Sequence, residues 1–252
     1  MSGHSKWATT KHKKAAVDAK RGKAFTQVSN MITVAAKQGG ADPKSNFALR
    51  LAIEKAKAAN MPTVNVDRAI KRGTGDGGGA RIEEFTYEGY GPSGIAVLVE
   101  TASDNKNRTV GEIRAAFTKY GGSLATAGAV AYLFDHKGHI VLNIQGQKVP
   151  KDELEMIVID SGADDFEEDE ETITVYSKPT ELSKVKDALE SAGMVVADAG
   201  FAYIAKSEIL VKDVDKARSI FKLIDALEVS DDVVAVHANF DIPEEIMEEA
   251  VE

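Results

Sequence analysis

Five glycines fall within eight residues at GTGDGGGA, positions 73–80. No helix or strand interior holds that density, because glycine gives up the most backbone freedom on folding and contributes no side chain to packing. The run therefore divides the chain. Before it, apolar residues recur at helical spacing: Phe25, Val28, Ile32 and Ala35, then Leu49, Ile53 and Ala56. After it, short β-rich runs alternate with helical ones. The 252 residues read as a helical module followed by an α/β body long enough for more than one domain.

Charge divides at the same place. Residues 1–80 hold 15 Lys/Arg against 5 Asp/Glu, a net of +10, while the remainder holds 16 against 35, a net of −19. The overall −9 thus hides a basic module joined to an acidic body. Such asymmetry points to a polyanion partner for one end only.

Along the module the spacing predicts a helix over 10–21 stopped by Gly22, then a helix from Phe25 to Gly39–Gly40. Asp42-Pro43 is read as the start of the next helix, which ends before Pro62, and a short helix over 66–72 closes at Gly73. In the body, strands at Phe85–Tyr87 and 95–99 flank GYGPSG, with a helix over 107–120 and a strand over 129–134. Residues 140–204 give strand, helix, strand, strand, helix and strand, a complete βαββαβ unit of the ferredoxin-like kind. A strand over 208–211, a helix over 214–227, a strand over 233–240 and an acidic tail follow. AGAVAYLF (127–134) and AGFAYIA (199–205) echo each other and suggest two related α/β units.

The fold class expected is α+β multidomain: an N-terminal helical domain plus two ferredoxin-like α/β domains, one inserted into the other. The boundaries are 1–78 for the basic helical domain, 79–136 with 206–243 for a discontinuous α/β domain, and 137–205 for the inserted domain.

Several chemistries are disfavoured. The chain has no Cys, which removes disulfides, thiolate nucleophiles and Cys-ligated metal. GYGPSG matches G-x-G-x-x-G formally, but a strand follows it where a phosphate cradle needs a helix, and Pro92 removes a donor. GTGDGGG lacks the Lys-Ser/Thr ending of a phosphate-binding loop, and EEDEE (167–171) lacks the alternation of a calcium loop. The five His do not cluster by spacing. No catalytic residue, cofactor or metal site is assigned, and no apolar run is long enough to span a membrane.

The basic N-terminal segment carries the functional signal. Lys6, Lys11, Lys13, Lys14, Lys20, Arg21 and Lys23 face a single acid, Asp18, and Lys6, Lys13 and Lys20 recur every seven residues. Like charges on one helical stripe repel, and a nucleic acid would relieve that repulsion and release counterions. The competing reading is a solvated helix face, or docking on the acidic body. Trp7 is a candidate for base stacking or for anchoring the segment. Lys106 and Arg108, in SDNKNRT, form a candidate secondary anion site at a helix N-terminus, against ordinary capping by Asn105 or Asn107. No export or transit signal is read at the N-terminus, so a cytoplasmic location is expected.

GHSKW (3–7), KHKKAAVDAKRGKAFT (11–26), LRLAIEKAKAANMP (49–62), RAIKRGTG (68–75), YEGYGPSG (87–94) and DNKNRT (104–109) resemble the motifs of the YebC/PmpR family. That family includes the mitochondrial translational activator of cytochrome c oxidase subunit I. The resemblance spans nearly the whole chain and implies three domains, one α/β domain inserted into another, with no enzyme activity or cofactor. It implies a regulator of gene expression. Members are described as DNA-binding transcriptional regulators, and others as ribosome-associated factors that ease translation, including at proline-rich stretches. The partner is accordingly DNA or ribosomal RNA, with the ribosome itself a candidate. The sequence departs from the family at WATT (7–10) and at QVSNMIT (27–33), where Asn30 and Met31 stand in a stretch that tends to carry a basic residue. Binding is therefore assigned first to the N-terminal Lys/Arg set, and phosphate-led contact is expected because no base-reading helix-turn-helix is legible.

Overall fold

A computed structural model describes residues 19–76 and 81–251. The chain forms two compact units, one of residues Phe134–Ile204 and the other of the segments on either side of them.

The larger unit begins with α1 (Ala19–Gly39), α2 (Phe47–Ala58) and α3 (Thr63–Thr74). Their shared core is Ile32, Ala35, Ala36, Leu49, Ala52, Ala56, Met61, Val66 and Ala69. Five of these nine are alanines, which lets the helix backbones approach closely. Gly22 does not stop a helix: α1 runs through it to Gly39. The next helix is capped by Asn46, whose side chain accepts from the Leu49 N–H, and not by Asp42. Asp42 instead closes a turn, accepting at its carbonyl from the Ser45 and Asn46 N–H groups. Gly73 lies inside α3, and the left-handed stop is Gly75 at φ 89°.

Gly73 has a packing role that its type alone conceals. A Cβ there would collide with the Thr33 carbonyl oxygen and stand 2.8 Å from the Ala36 Cβ. It is the point where α3 rests on the α1 backbone.

Beyond the glycine run, β1 (Glu83–Tyr90) and β2 (Ala96–Ser103) pair antiparallel over eight positions, from Glu83 opposite Ser103 to Tyr90 opposite Ala96. The GYGPSG run joins them through a tight turn in which Ser93 sits at φ 63°. Helix α4 (Lys106–Lys119) and β3 (Ser123–Leu124) follow, and β9 (Val233–Ala238) completes a sheet of order β3-β1-β2-β9. Helix α4 and the later helix α7 (Val214–Glu228) cover one face, burying Val97, Val99 and Val236 against Ile113, Phe117, Ile220, Phe221 and Ile224. Short strands β8 (Ile209–Leu210) and β10 (Phe240–Asp241) pair parallel. The expected acidic tail is helix α8 (Glu244–Val251), which packs Met247 and Ala250 into the same core.

The strand expected over 129–134 is absent. The Glu88 carboxylate instead accepts from the backbone N–H groups of Gly128 (2.6 Å), Val130 (2.6 Å) and Ala131 (2.8 Å), and residues Ala131–Leu133 make a single helical turn. Donors gathered on one carboxylate are not free for a strand ladder. Only the second half of the internal echo is extended.

The smaller unit holds β4 (Phe134–Asn143), α5 (Lys151–Asp160), β5 (Asp165–Glu168), β6 (Thr172–Ser177), α6 (Leu182–Ser191) and β7 (Val196–Ala205), the last ending one residue beyond it. Its sheet order β5-β6-β4-β7, with β6 antiparallel to both β5 and β4, is that of a ferredoxin-like unit. Ile140, Leu142, Leu154, Val158, Ile173, Val175, Leu182, Val185 and Leu189 are buried. The molecule is an α+β protein with helices first and antiparallel sheets after.

Two glycine substitutions separate packing from propensity. Gly73→Ala should lower unfolding stability by about 1–3 kcal/mol through overpacking against α1. Gly111→Ala, where nothing lies within 4 Å of the added carbon on α4, should raise it by about 0.5–1 kcal/mol. Urea denaturation of the two variants measures both signs.

Candidate nucleic-acid interface

Lys6, Trp7, Lys11, Lys13 and Lys14 lie outside the described residues, while Lys20, Arg21 and Lys23 fall in the first turns of α1. The described helical part, 19–76, still carries 11 Lys/Arg against 4 Asp/Glu.

How α1 is held follows from two amides. Asn30 is buried, and its Nδ2 donates to the carbonyl oxygens of Ala102 (3.2 Å) and Asp231 (3.4 Å). Gln27, one helical turn earlier, donates through Nε2 to the Val233 carbonyl at 2.9 Å. Both thus reach the segment that leads into β9. An amide supplies donors that a hydrophobic residue lacks, and a basic residue at either place would put a charge against buried backbone. The absence of a basic residue across 27–33 is explained by this joint.

Arg72 closes the joint from α3. Its guanidinium donates to Asn30 Oδ1 (3.1 Å) and to Thr33 Oγ1 (3.0 Å through Nη2, 3.2 Å through Nε). Thr33 itself is anchored to the carbonyls of Ser29 and Ala69. Burial pulls Arg72 below the ordinary guanidinium value, and Asp104 acts in the opposite direction. At the far end of α1, Lys37 Nζ donates to the Ile82 carbonyl at 3.0 Å.

The candidate secondary anion site is occupied from within. Arg108 Nη2 lies 2.9 Å from Asp232 Oδ2 and 3.1 Å from Asp104 Oδ1. Asp232 Oδ2 also accepts from Thr109 Oγ1 at 2.7 Å and Ser103 Oγ at 2.9 Å. The Asp232 interaction raises Arg108 above its ordinary value. Asn105 caps α4 by accepting from the Arg108 N–H, and the Lys106 ammonium lies 4.9 Å from the Phe85 ring centre. The SDNKNRT loop therefore neutralises a buried carboxylate, which is a structural use of its arginine.

The exposed cations are elsewhere. Inner residues Val66, Ala69 and Gly73 turn α3 toward α1, which leaves Val64, Asp67, Arg68 and Lys71 outward, all exposed. Starting the helix at 66 hid this stripe in the sequence. With the helix begun at Thr63, the spacing 64, 68, 71 emerges as one face. Among the described residues no three His, Asp or Glu gather at a site fit for a metal ion, and no helix is long and apolar enough to cross a membrane.

Two buried carboxyls set the acid limit of the fold. Burial would raise Asp232, but hydrogen bonds from Thr109, Arg108 and Ser103 outweigh it and hold the group below the usual carboxylate value. Glu88 is held low likewise, burial being outweighed by its three backbone donors. Both bind protons less readily folded than unfolded. Their stabilisation is complete at neutral pH, starts to be lost as pH falls to the ordinary carboxylate value of ~4, and is gone only below their lowered folded values. The melting temperature should fall steeply below about pH 5. Asp232→Asn should melt several degrees lower at pH 7, by roughly 2–4 °C per kcal/mol, and show a shallower acid dependence.

With this geometry in place, comparison with known proteins gives one answer across the chain. Residues 5–76 match the family model described as "TACO1/YebC protein N-terminal domain", and residues 82–240 match "TACO1/YebC second and third domain". A protein of Halothermothrix orenii named "Probable transcriptional regulatory protein" is 47% identical over 252 residues, covering 100% of both chains. One of Syntrophus aciditrophicus with the same name is 50% identical over 249 residues, 98% of each. The crystal structure of a conserved hypothetical protein from Aquifex aeolicus superposes with a TM-score of 0.85 at 45% identity, covering 93% of this chain and 96% of that one. By sequence across both segments and by fold, this chain belongs to the TACO1/YebC family.

Proposed function

We propose that the protein is a non-enzymatic regulator of gene expression that binds DNA through its basic helical module and acts on transcription in the cytoplasm. The observation that carries this reading is the segregation of charge, +10 over residues 1–80 against −19 over the rest, with α1 tied by Gln27 and Asn30 to the acidic body. A polyanion that approaches such a molecule is attracted at one end and repelled elsewhere, so contact is confined to the module. The names of the relatives, probable transcriptional regulatory proteins, support a role in transcription.

Lys6, Lys11, Lys13, Lys14, Lys20, Arg21 and Lys23 are proposed to contact phosphates, with Trp7 beside them for stacking or anchorage. Lys106 is kept as a peripheral contact at most. Arg108 is not, because its charge is spent on Asp232 and Asp104.

Fluorescence anisotropy with a mixed-sequence DNA duplex tests the mechanism. Neutralising about four to six phosphates gives a slope of log K against log salt of roughly −3 to −5; a flat response contradicts the reading. Replacing Lys13, Lys14, Lys20 and Arg21 together by Glu should abolish binding and leave the sheet domains folded by circular dichroism. Sedimentation of cell extract through sucrose separates the family's two roles. Migration with ribosomes, absent from promoter DNA pulldowns, would move the target to ribosomal RNA.

A further inference from the structure

Helices α2 and α3 are joined by a four-residue turn and each packs on α1, and α3 turns outward Arg68 and Lys71, which make no ion pair among the described residues. The turn is sharply defined. Asn60, at φ 57°, takes the left-handed position after α2, the Met61 N–H donates to the Ala56 carbonyl, and the Asn60 N–H donates to the Lys57 carbonyl. These are the two bonds of a Schellman stop, and the buried Met61 supplies its hydrophobic contact. Pro62 then leads into α3, which makes just over three turns and is about 18 Å long.

We infer that α3 is the recognition helix of this protein and enters the major groove of B-form DNA, presenting Val64, Asp67, Arg68 and Lys71. The inference rests on the DNA-binding reading above and adds to it a second element, distinct from the N-terminal lysines, and a mode of contact. Four features carry it. The inner face of α3 is fully used by α1, and Arg72 is locked into Asn30 and Thr33, so α3 stands as a fixed ridge. Neither Arg68 nor Lys71 makes an ion pair among the described residues. Val64 is 66% exposed, an apolar side chain without use inside the fold and of the right kind to meet a thymine methyl. Asp67 lies on the same face. A carboxylate there opposes indiscriminate docking on phosphates, yet at base edges it accepts from a cytosine amino group.

In a helix-turn-helix the first turns of the second helix meet bases while later residues meet the backbone. Val64, Asp67 and Arg68 fall in the first half of α3 and Lys71 in its last turn. Arg68 is assigned to a guanine edge and Lys71 to a phosphate. The joint of α1 to the segment before β9 keeps the ridge oriented, so little ordering is required on contact.

The test uses the full-length protein and two duplexes of one mixed sequence, DNA and RNA, with single variants of exposed residues that should fold normally. B-DNA offers a groove about 12 Å wide, whereas the A-form major groove is too narrow for a helix. The parent should prefer the DNA duplex. Arg68→Ala should weaken DNA binding by about tenfold and remove the interference caused by methylating guanine N7 in the major groove. Lys71→Ala should reduce the salt slope by about 1. Val64→Glu should cost affinity for DNA without altering melting temperature. If all three variants bind DNA like the parent while the N-terminal Glu variant does not, the recognition-helix inference is overturned and the DNA-binding reading survives. Equal binding of the RNA duplex with the same dependence on Arg68 overturns groove insertion. Absence of binding by the parent to either duplex overturns both.

Discussion

The turn from Ser230 to Val233 is the point on which the larger unit depends. Its backbone carbonyls at Asp231 and Val233 receive Asn30 and Gln27 from α1. Its one buried carboxylate, Asp232, receives Ser103, Arg108 and Thr109 from β2 and α4. Within four residues, polar groups of the basic helices and of the acidic sheet domain are satisfied together. Leaving any one buried donor or acceptor unpaired costs about 1–3 kcal/mol, so the two sides are held in one arrangement by several bonds that are each expensive to break.

That joint reconciles a contradiction in the charge. Under the proposed function a nucleic acid is repelled by the net charge of −9 and attracted by the basic module. An attractive site on a repulsive body gains orientation, since only approaches that present the module first are favourable. The outward stripe on α3 is separate from the packing of that helix, which uses alanines inside and turns Arg72 inward to Asn30 and Thr33.

Much of the fold was legible in the sequence where period and length agree. The βαββαβ unit, the β1–β2 hairpin around GYGPSG and helix α7 follow from apolar spacing. What failed did so for reasons of tertiary context. Gly22 and Gly73 look like stops, yet α1 continues through the first and α3 packs on the second. AGAVAYLF has strand-like composition, but Glu88, 40 to 43 residues away in sequence, takes its N–H groups. Met247 and Ala250 were lost in an acidic tail because five glutamates in the nine residues 244–252 mask a two-residue apolar contact. At the site, Arg108 looked free because its partner Asp232 is 124 positions away. Asn30 looked like a lost basic contact because its acceptors lie far along the chain, in β2 and in the turn before β9.

Amide hydrogen exchange on an Asn30→Ala variant tests the joint most directly. The expected result is faster exchange throughout α1, α2 and α3, with β1, β2, α4 and α7 protected as in the parent. Unchanged protection of the three helices, or an equal loss across helices and sheet alike, would contradict the joint as the element that holds the basic module on its acidic body.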